Sequence, residues 1–241
     1  MADPSDAIDP AAIARGLEQV QGRIARAERA SGRAPGSVRL VAVSKTQPAA
    51  AIRAAHAAGQ RDFGENYAQE LAAKQAELAG LDLGWHFIGG LQRNKAKLVI
   101  RARVHTLDGV ALADELDKRA AAAGIARVDT LIEVNLAGET AKSGVAPEQL
   151  AELCDALAGR AQVRVGGLMC IPPETPDPEA TRPYFRTLAR LREQHARVTR
   201  AGVDLVDLSM GMSADLEVAI AEGATLVRVG TAIFGARQPR R

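Results

Sequence analysis

Excess charge of one sign and long apolar runs are both scarce in this chain. Its 241 residues include 31 Lys and Arg against 29 Asp and Glu, so the formal net charge is only +2. A charge this small gives no overall electrostatic drive toward nucleic acid. No apolar run approaches the roughly 18 residues that cross a bilayer, which excludes an integral membrane protein. We therefore expect neither nucleic acid nor a membrane among its partners.

Cysteines are equally few, and they lack the spacing of a functional site. Cys154 and Cys170 have neither metal-ligand nor redox spacing. An isolated pair is typical of a reducing compartment, where both thiols stay free. The N-terminal segment MADPSDAIDP is acidic and has neither the basic nor the apolar part of a secretory signal. These features predict a cytoplasmic protein that holds no metal.

The chain does have enough apolar residues for a full core, at 47% against 25% charged, which excludes general disorder. Short apolar, β-branched segments alternate with segments of helical periodicity. Strands are predicted over residues 38–44, 61–65, 85–89, 103–108, 128–135, 163–170, 203–209 and 225–230. Helices are predicted over 8–31, from Pro48 to about Gly59, and over 66–79, 91–101, 109–123, 147–158, 178–200 and 213–222.

This alternation predicts an α/β fold with a parallel sheet that is covered by helices. Eight strand–helix units favour a closed (β/α)8 barrel, or TIM barrel. An open doubly wound sheet stays the alternative, because strand order cannot be deduced from the sequence. No linker, repeat or low-complexity segment divides the chain. We expect one domain over residues 1–241, with 1–7 and 238–241 as loose tails, and a monomer.

Functional residues of such barrels lie where strands end and in the loops that follow. Lys45 comes directly after the first predicted strand. Partial desolvation at the barrel mouth lowers the pKa of an ammonium group and favours the neutral amine, which can attack a carbonyl to form a Schiff base. The alternative is that Lys45 reaches out of the barrel into water.

The loops after the seventh and eighth predicted strands have features of a phosphate site. Ser213 lies in SMGMS, and Gly230 and Thr231 follow the last strand. Backbone N–H groups at the start of a short terminal helix can bind a phosphate, and barrels commonly bind phosphate in these two loops. The alternative is that Ser213 is only a helix N-cap and Gly230 only a turn residue.

Arg228 lies inside an apolar strand and has the same parity as Leu226, so it needs a partner in the barrel interior. Its partner could be a carboxylate, for which Asp204, Asp207 and Glu133 are candidates, or the ring nitrogen of a ligand. Considered alone, Arg228 favours the structural ion pair. Pyridoxal 5′-phosphate, however, offers an aldehyde, a phosphate and a ring nitrogen in one molecule, and so matches the lysine, the two loops and the arginine together.

Five segments resemble the pyridoxal phosphate homeostasis protein family: VAVSKTQ, DFGENYAQE, WHFIGGLQRNK, EVNLAGETAKSG and LSMGMSADLEVAIAEGATLVRVGTAIFGAR. The resemblance extends from about residue 8 to residue 237. It implies a barrel like the N-terminal domain of alanine racemase, with the cofactor as an internal aldimine on Lys45. It also implies phosphate contacts from Ser213, Gly230 and Thr231, with Arg228 near the pyridine nitrogen. Asn66, in GENY, is implied to line the site.

The resemblance implies a cofactor-binding, regulatory protein without an established catalytic reaction. We expect a carrier that holds pyridoxal phosphate and delivers it to pyridoxal-phosphate-dependent apo-enzymes. The alternative is an amino-acid racemase or another Schiff-base enzyme. Racemases of this type have a second, β-rich domain with a catalytic tyrosine, and too few residues follow Gly230 to form one. A phosphosugar-binding barrel enzyme would explain the phosphate loops but not Lys45 together with Arg228.

Overall fold

A computed structural model describes residues 8–139 and 143–235 and shows a closed parallel barrel. Its eight strands follow one another in sequence order around the barrel, and β1 pairs with β8 to close it. The (β/α)8 barrel is therefore confirmed, and the open sheet is excluded. The strands are β1 (Arg39–Val43), β2 (Asp62–Glu65), β3 (Gly84–Phe87), β4 (Arg103–Leu107), β5 (Val128–Glu133), β6 (Val163–Met169), β7 (Val203–Ser209) and β8 (Leu226–Val229).

Eight α-helices surround the barrel in the described part of the chain. They are α1 (Pro10–Ala30), α2 (Ala49–Ala57), α3 (Ala68–Glu77), α4 (Val110–Ala122), α5 (Leu150–Leu157), α6 (Arg182–Ala196), α7 (Leu216–Ala221) and α8 (Thr231–Phe234). The first of them precedes β1, and its side chains Ile13, Leu17, Val20 and Ile24 are buried, as the helical spacing predicts.

Three predicted α-helices differ in the structure. The one predicted over 147–158 begins with a 3-10 helix, Pro147–Gln149, before α5. The segment after β3 forms a 3-10 helix over Arg93–Leu98 instead of an α-helix over 91–101. The predicted helix over 178–200 is divided into a 3-10 helix, Pro178–Thr181, and α6. Pro183 explains the division, because proline has no N–H to donate to the carbonyl of Glu179 four residues earlier. That carbonyl accepts instead from the N–H of Arg182.

Apolar side chains fill part of the barrel interior, where Val41, Leu131, Met169 and Leu226 form one fully buried cluster. Leu226 thus has the inward parity that the sequence predicts for it and for Arg228. Within residues 8–139 and 143–235, no helix is both long and apolar enough to cross a bilayer. The tails predicted to be loose, residues 1–7 and 238–241, lie outside the described residues.

Candidate functional site

A cavity of about 340 Å³ opens at the C-terminal end of the barrel strands. All six residues that the sequence and the resemblance select line this one cavity: Lys45, Asn66, Ser213, Arg228, Gly230 and Thr231. They come from β8 and from the loops after β1, β2, β7 and β8. The fold thus brings together side chains that are up to 186 positions apart in sequence, as their numbers show.

Lys45 lies in a tight turn directly after β1. It is partly buried and faces the cavity instead of reaching freely into water. The N–H of Ser44 donates to the carbonyl of Gly64, which extends the pairing of β1 with β2 by one residue. Thr46 has a left-handed φ of 66°, and its N–H donates to Oε1 of Glu70 at 2.6 Å. These bonds fix the backbone on both sides of Lys45.

A buried ion-pair network supports this turn, and the sequence analysis did not find it. Nζ of Lys74, on α3, donates to the carbonyl of Ser44 and to Oε1 of Glu65, both at 2.7 Å. It also donates to Oε1 of Glu70 at 2.8 Å. The spacing of Glu70 and Lys74, four residues apart on one helix, was the available signal. The network couples α3 to the turn that carries Lys45.

The two predicted phosphate loops differ in how well their structure agrees with the sequence analysis. The alternative that Ser213 is only a helix N-cap is wrong, because α7 begins at Leu216 with Asp215 as its N-cap. Oδ1 of Asp215 accepts from the N–H of Met212, which shapes the loop that carries Ser213. A serine two positions too early cannot reach the first helical N–H groups. Its side chain instead lines the cavity.

After β8 the expected short helix is present, with Gly230 as the N-cap of α8. The backbone of Gly230 passes so close to β1 that a Cβ atom there would lie 3.2 Å from the carbonyl oxygen of Val43. Glycine permits this approach, which places Thr231 beside the Lys45 turn. The N–H groups of Ile233 and Phe234 donate to the carbonyl of Gly230, so the N–H groups of α8 that a ligand could bind are those of Thr231 and Ala232.

Arg228 is buried at the base of the cavity and is held by neutral partners. Its Nη1 donates to the hydroxyl of Ser209 at 2.6 Å and its Nη2 to the carbonyl of Cys170 at 3.0 Å. Burial lowers the pKa of the guanidinium, but arginine remains charged. The guanidinium has five N–H groups, more than these two bonds use.

The expected structural ion pair of Arg228 is wrong within the part of the chain that the structure describes. Asp207 accepts from Arg103 at 2.5 Å, and Asp204 pairs with Arg164. Glu133 is near enough to act electrostatically on Arg228 but forms no ion pair with it. Asp204 on β7 points to Arg164 on the neighbouring strand β6, whereas Asp207 points to Arg103 on the non-adjacent strand β4. Neither choice was deducible from parity alone.

A chain of hydrogen bonds leads from Arg228 through the barrel interior. The Ser209 hydroxyl, which accepts from Arg228, lies 2.9 Å from Nδ1 of His105. Nε2 of His105 lies 2.8 Å from Nδ1 of His86, and Nε2 of His86 lies 3.1 Å from Oδ1 of Asp62. His86 is therefore a hydrogen-bonded core residue and does not line the cavity. Because arginine only donates, this chain orients the guanidinium from behind.

Apolar side chains form much of the remaining cavity wall, together with Gln47 and Glu174. Ile88 and Phe234 line it, and Ile171 and Met212 line it although both are substantially exposed. The sequence analysis did not select these four residues. Ile171 lies two residues after the end of β6, and Met212 lies in the same loop as Ser213, so position after a strand was the available signal.

Comparison with known proteins agrees with this geometry. Residues 17–238 match the family model described as "Alanine racemase, N-terminal domain". The pyridoxal phosphate homeostasis protein of Pseudomonas aeruginosa is 49% identical over 227 residues, which cover 93% of this chain and 96% of that protein. The chain belongs to the pyridoxal phosphate homeostasis protein family. The family member from Escherichia coli is 43% identical over 93% of this chain and 97% of its own length.

Solved structures of the family have the same fold. PipY of Synechococcus elongatus has been solved with pyridoxal phosphate bound, at 40% identity and a TM-score of 0.78, covering 92% of this chain and 100% of that one. Its structure without pyridoxal phosphate has a TM-score of 0.82 over the same shares. Alanine racemase from Corynebacterium glutamicum shares the fold at 18% identity, with a TM-score of 0.67 over 96% of this chain and 63% of that one.

Proposed function

We propose that this protein binds pyridoxal 5′-phosphate in the 340 Å³ cavity, with Lys45 forming a Schiff base with its aldehyde carbon. The observation that carries the proposal is the convergence of six residues from separate loops on one cavity. Its volume lies in the range of small-molecule sites. The relative PipY, 40% identical, was solved with this ligand.

The chemistry of the lining residues fits the three functional groups of the ligand. Ser213 and Thr231 offer hydroxyls, and the backbone at Gly230 and Thr231 offers N–H groups, for the phosphate. Arg228 offers N–H donors and no acceptor, so it suits an unprotonated pyridine nitrogen. Lys45 offers the amine. Asn66 contributes to the opposite wall.

We further propose that the protein holds and delivers the cofactor instead of turning over amino acids. Bound pyridoxal phosphate can act as an electron sink for carbanions, and an unprotonated ring does so less well. Arg228 therefore disfavours such chemistry. On this proposal one barrel, residues 1–241, works as a cytoplasmic monomer, and pyridoxal-phosphate-dependent apo-enzymes are its partners.

An amino-acid racemase is the second candidate, and the match to the N-terminal domain of alanine racemase favours it. Racemisation needs an acid and a base on opposite faces of the substrate carbon. Lys45 is a candidate for one of them. The described residues that line the cavity include no tyrosine, histidine or cysteine as the second, although Glu174 lies at its edge.

The proposal is tested by reduction of the purified protein with borohydride in the presence of pyridoxal phosphate, followed by peptide mass spectrometry. We expect one adduct, on Lys45, and a visible absorbance band that is absent from Lys45→Ala. Lys97→Ala, which changes an exposed lysine in the 3-10 helix after β3, is the matched control. An adduct that maps to another lysine contradicts the proposal.

Delivery is tested by incubating the loaded protein with an apo-enzyme and following the return of that enzyme's activity. In parallel, α-deuterium exchange is measured on L- and D-amino acids. Reactivation without exchange supports the carrier. Exchange that depends on Lys45 and reaches about 1 s⁻¹, an ordinary enzymatic rate, would support the racemase instead.

A further inference from the structure

A second cavity, of about 220 Å³, adjoins the first at the barrel mouth. The two share Asn66, Ile88 and Ile171 as a common wall. The second cavity extends away from Arg228, toward the ends of β4 and β5, where Thr106 and Glu133 line it. We call it the Glu133 cavity. None of the roles proposed above uses it.

Glu133 is the last residue of β5 and only 8% exposed. Within the described residues its carboxylate makes neither a hydrogen bond nor an ion pair, and Oε2 is wholly buried. Burial raises the pKa of Glu133 to about 7, the nearby Asp108 raises it as well, and Arg228 opposes the shift. An unpaired buried carboxylate lowers the stability of the folded protein. A bound cation would remove this loss of stability.

Two further acceptor groups line the Glu133 cavity. The Thr106 hydroxyl gives its proton to the carbonyl of Gly89 at 2.7 Å, which leaves only lone pairs for a ligand. Oδ1 of Asn66 is buried and has no partner in the described part of the chain. The cavity therefore offers a carboxylate and two neutral acceptors, which suit a ligand with a positive charge and several N–H groups. Asn135, whose amide donates to the carbonyl of Glu139, and Ser143 complete its polar lining.

We propose that the Glu133 cavity binds the primary ammonium group of a small amine or amino acid, with Glu133 as its counter-ion. A primary ammonium has three N–H donors and one positive charge, which match a carboxylate flanked by neutral acceptors. A volume of about 220 Å³ admits only a small molecule. The inference rests on the proposed function in one respect. The site would hold an amine next to the cofactor only because the cofactor is proposed to bind at Lys45.

The experiment uses the full-length protein without cofactor, so that it does not depend on whether pyridoxal phosphate binds at Lys45. The protein is labelled with ¹³C in its glutamate carboxyl groups, and the resonance of Glu133 is assigned by its absence from Glu133→Gln. Ethylamine, L-alanine and propionate are titrated separately at pH 8, where Glu133 is largely ionised.

We expect a saturable shift of the Glu133 resonance with an ammonium ligand and none with propionate, which lacks the ammonium group. Equal responses to ethylamine and L-alanine assign the site to amines in general, and a response to L-alanine alone assigns it to amino acids. The proposal is overturned if neither ammonium ligand causes a saturable shift, or if propionate causes an equal shift. Both outcomes are measured on the wild-type protein.

Variants then test Glu133 itself by calorimetric titration of the ligand that binds. Glu133→Gln keeps the shape and removes the charge, and we expect at least a tenfold loss of affinity. Asp129→Asn is the matched control, because it removes one carboxylate from the exposed end of the same strand, where Asp129 pairs with Arg127. Unchanged affinity in Glu133→Gln, or an equal loss in Asp129→Asn, contradicts the proposal. Failure of the proposed function would appear separately, as a missing borohydride adduct.

Discussion

Asp62 and Arg228 lie at opposite ends of one hydrogen-bonded chain through the barrel interior. Asp62 begins β2, at the N-terminal end of the barrel, whereas Arg228 faces the cavity at the other end. An ionised carboxylate only accepts hydrogen bonds and a guanidinium only donates them. These two ends fix the direction of every bond between them, provided that His86 and His105 are neutral.

The tautomers of the two histidines follow from this direction. Burial lowers the pKa of His105 well below its ordinary value, and the neighbouring His86 and Arg228 lower it further, so His105 is neutral. His86 must donate from Nε2 to Asp62, and it then accepts at Nδ1 from Nε2 of His105. We expect ¹⁵N NMR to show both rings as Nε2–H tautomers at a pH where both rings are neutral. An Nδ1–H signal from either histidine would contradict the derived direction.

Loss of the hydroxyl in the middle of this chain should affect the cavity. Ser209→Ala removes the group that accepts from Arg228 and donates to His105. We expect the affinity for pyridoxal phosphate to fall about tenfold, the order of one hydrogen bond to a charged group, while the far-ultraviolet circular dichroism stays unchanged. Thr187→Ala, on the exposed face of α6, is the control. Equal affinity in wild type and Ser209→Ala would show that Arg228 does not need this support.

The proposed phosphate contacts predict losses at two further hydroxyls. Ser213→Ala and Thr231→Ala each remove one hydrogen bond to a charged group, which is worth about 1.5–3 kcal/mol, or roughly tenfold or more in affinity. Equilibrium titration of the cofactor-free protein measures the effect. If neither variant changes the affinity, the phosphate is held elsewhere or by backbone groups alone.

The network around Lys74 predicts a change in stability. Lys74→Met leaves Glu65 buried without its ion-pair partner, which typically costs about 3–5 kcal/mol of the free energy of unfolding. Lys118→Met, an exposed change on α4, should stay within about 0.5 kcal/mol of wild type. Urea unfolding compares the two. A loss in Lys74→Met no larger than that in Lys118→Met would mean that the network contributes little.

Glu133 predicts a stability effect that depends on pH. Its pKa of about 7 in the folded protein exceeds its ordinary value of 4.5, so the folded state binds the extra proton between these values. Stability from this group is therefore present at low pH and lost as pH rises through 7. Glu133→Gln should raise the free energy of unfolding more at pH 8 than at pH 4.5, by up to roughly 3 kcal/mol. An equal effect at both pH values, measured by urea unfolding, would exclude the shift.

Both thiols should be inert in the native protein. Burial raises the pKa of Cys170 to about 12 and that of Cys154 to about 11, and the thiolate is the reactive form. We expect a disulfide reagent such as DTNB to label neither cysteine at pH 8 until the protein unfolds. Rapid labelling of the folded protein would contradict this, and Cys154→Ala would then show which thiol reacts.

The sequence was sufficient for the barrel and for Lys45, Ser213, Gly230 and Thr231 because these follow from position along the chain, whereas Asn66 was selected by the family resemblance. Lys45 and Thr231 each follow a predicted strand, and parallel strands of a barrel all end at one face. Arg228 was found by a different route, since a charged residue with inward parity in an apolar strand needs a partner inside.

Pairings between distant residues were not predictable in the same way. Neither strand parity nor helical spacing showed that Arg228 would use a serine and a backbone carbonyl while Asp207 paired with Arg103. The alternative of Ser213 as a helix N-cap stayed open because Ser213 and Asp215 are both good capping residues, and only the path of the loop decides between them.

The cavity lies at the ends of β1 and β8, the two strands whose pairing closes the barrel. Lys45 follows the first strand and Thr231 the last, so a ligand bound to both connects the two strands that close the circle. Such a ligand would stabilise the closed barrel reversibly. At a hundredfold excess over its Kd it would add about 2.7 kcal/mol to the free energy of unfolding, and the melting temperature would then report how much of the protein is loaded.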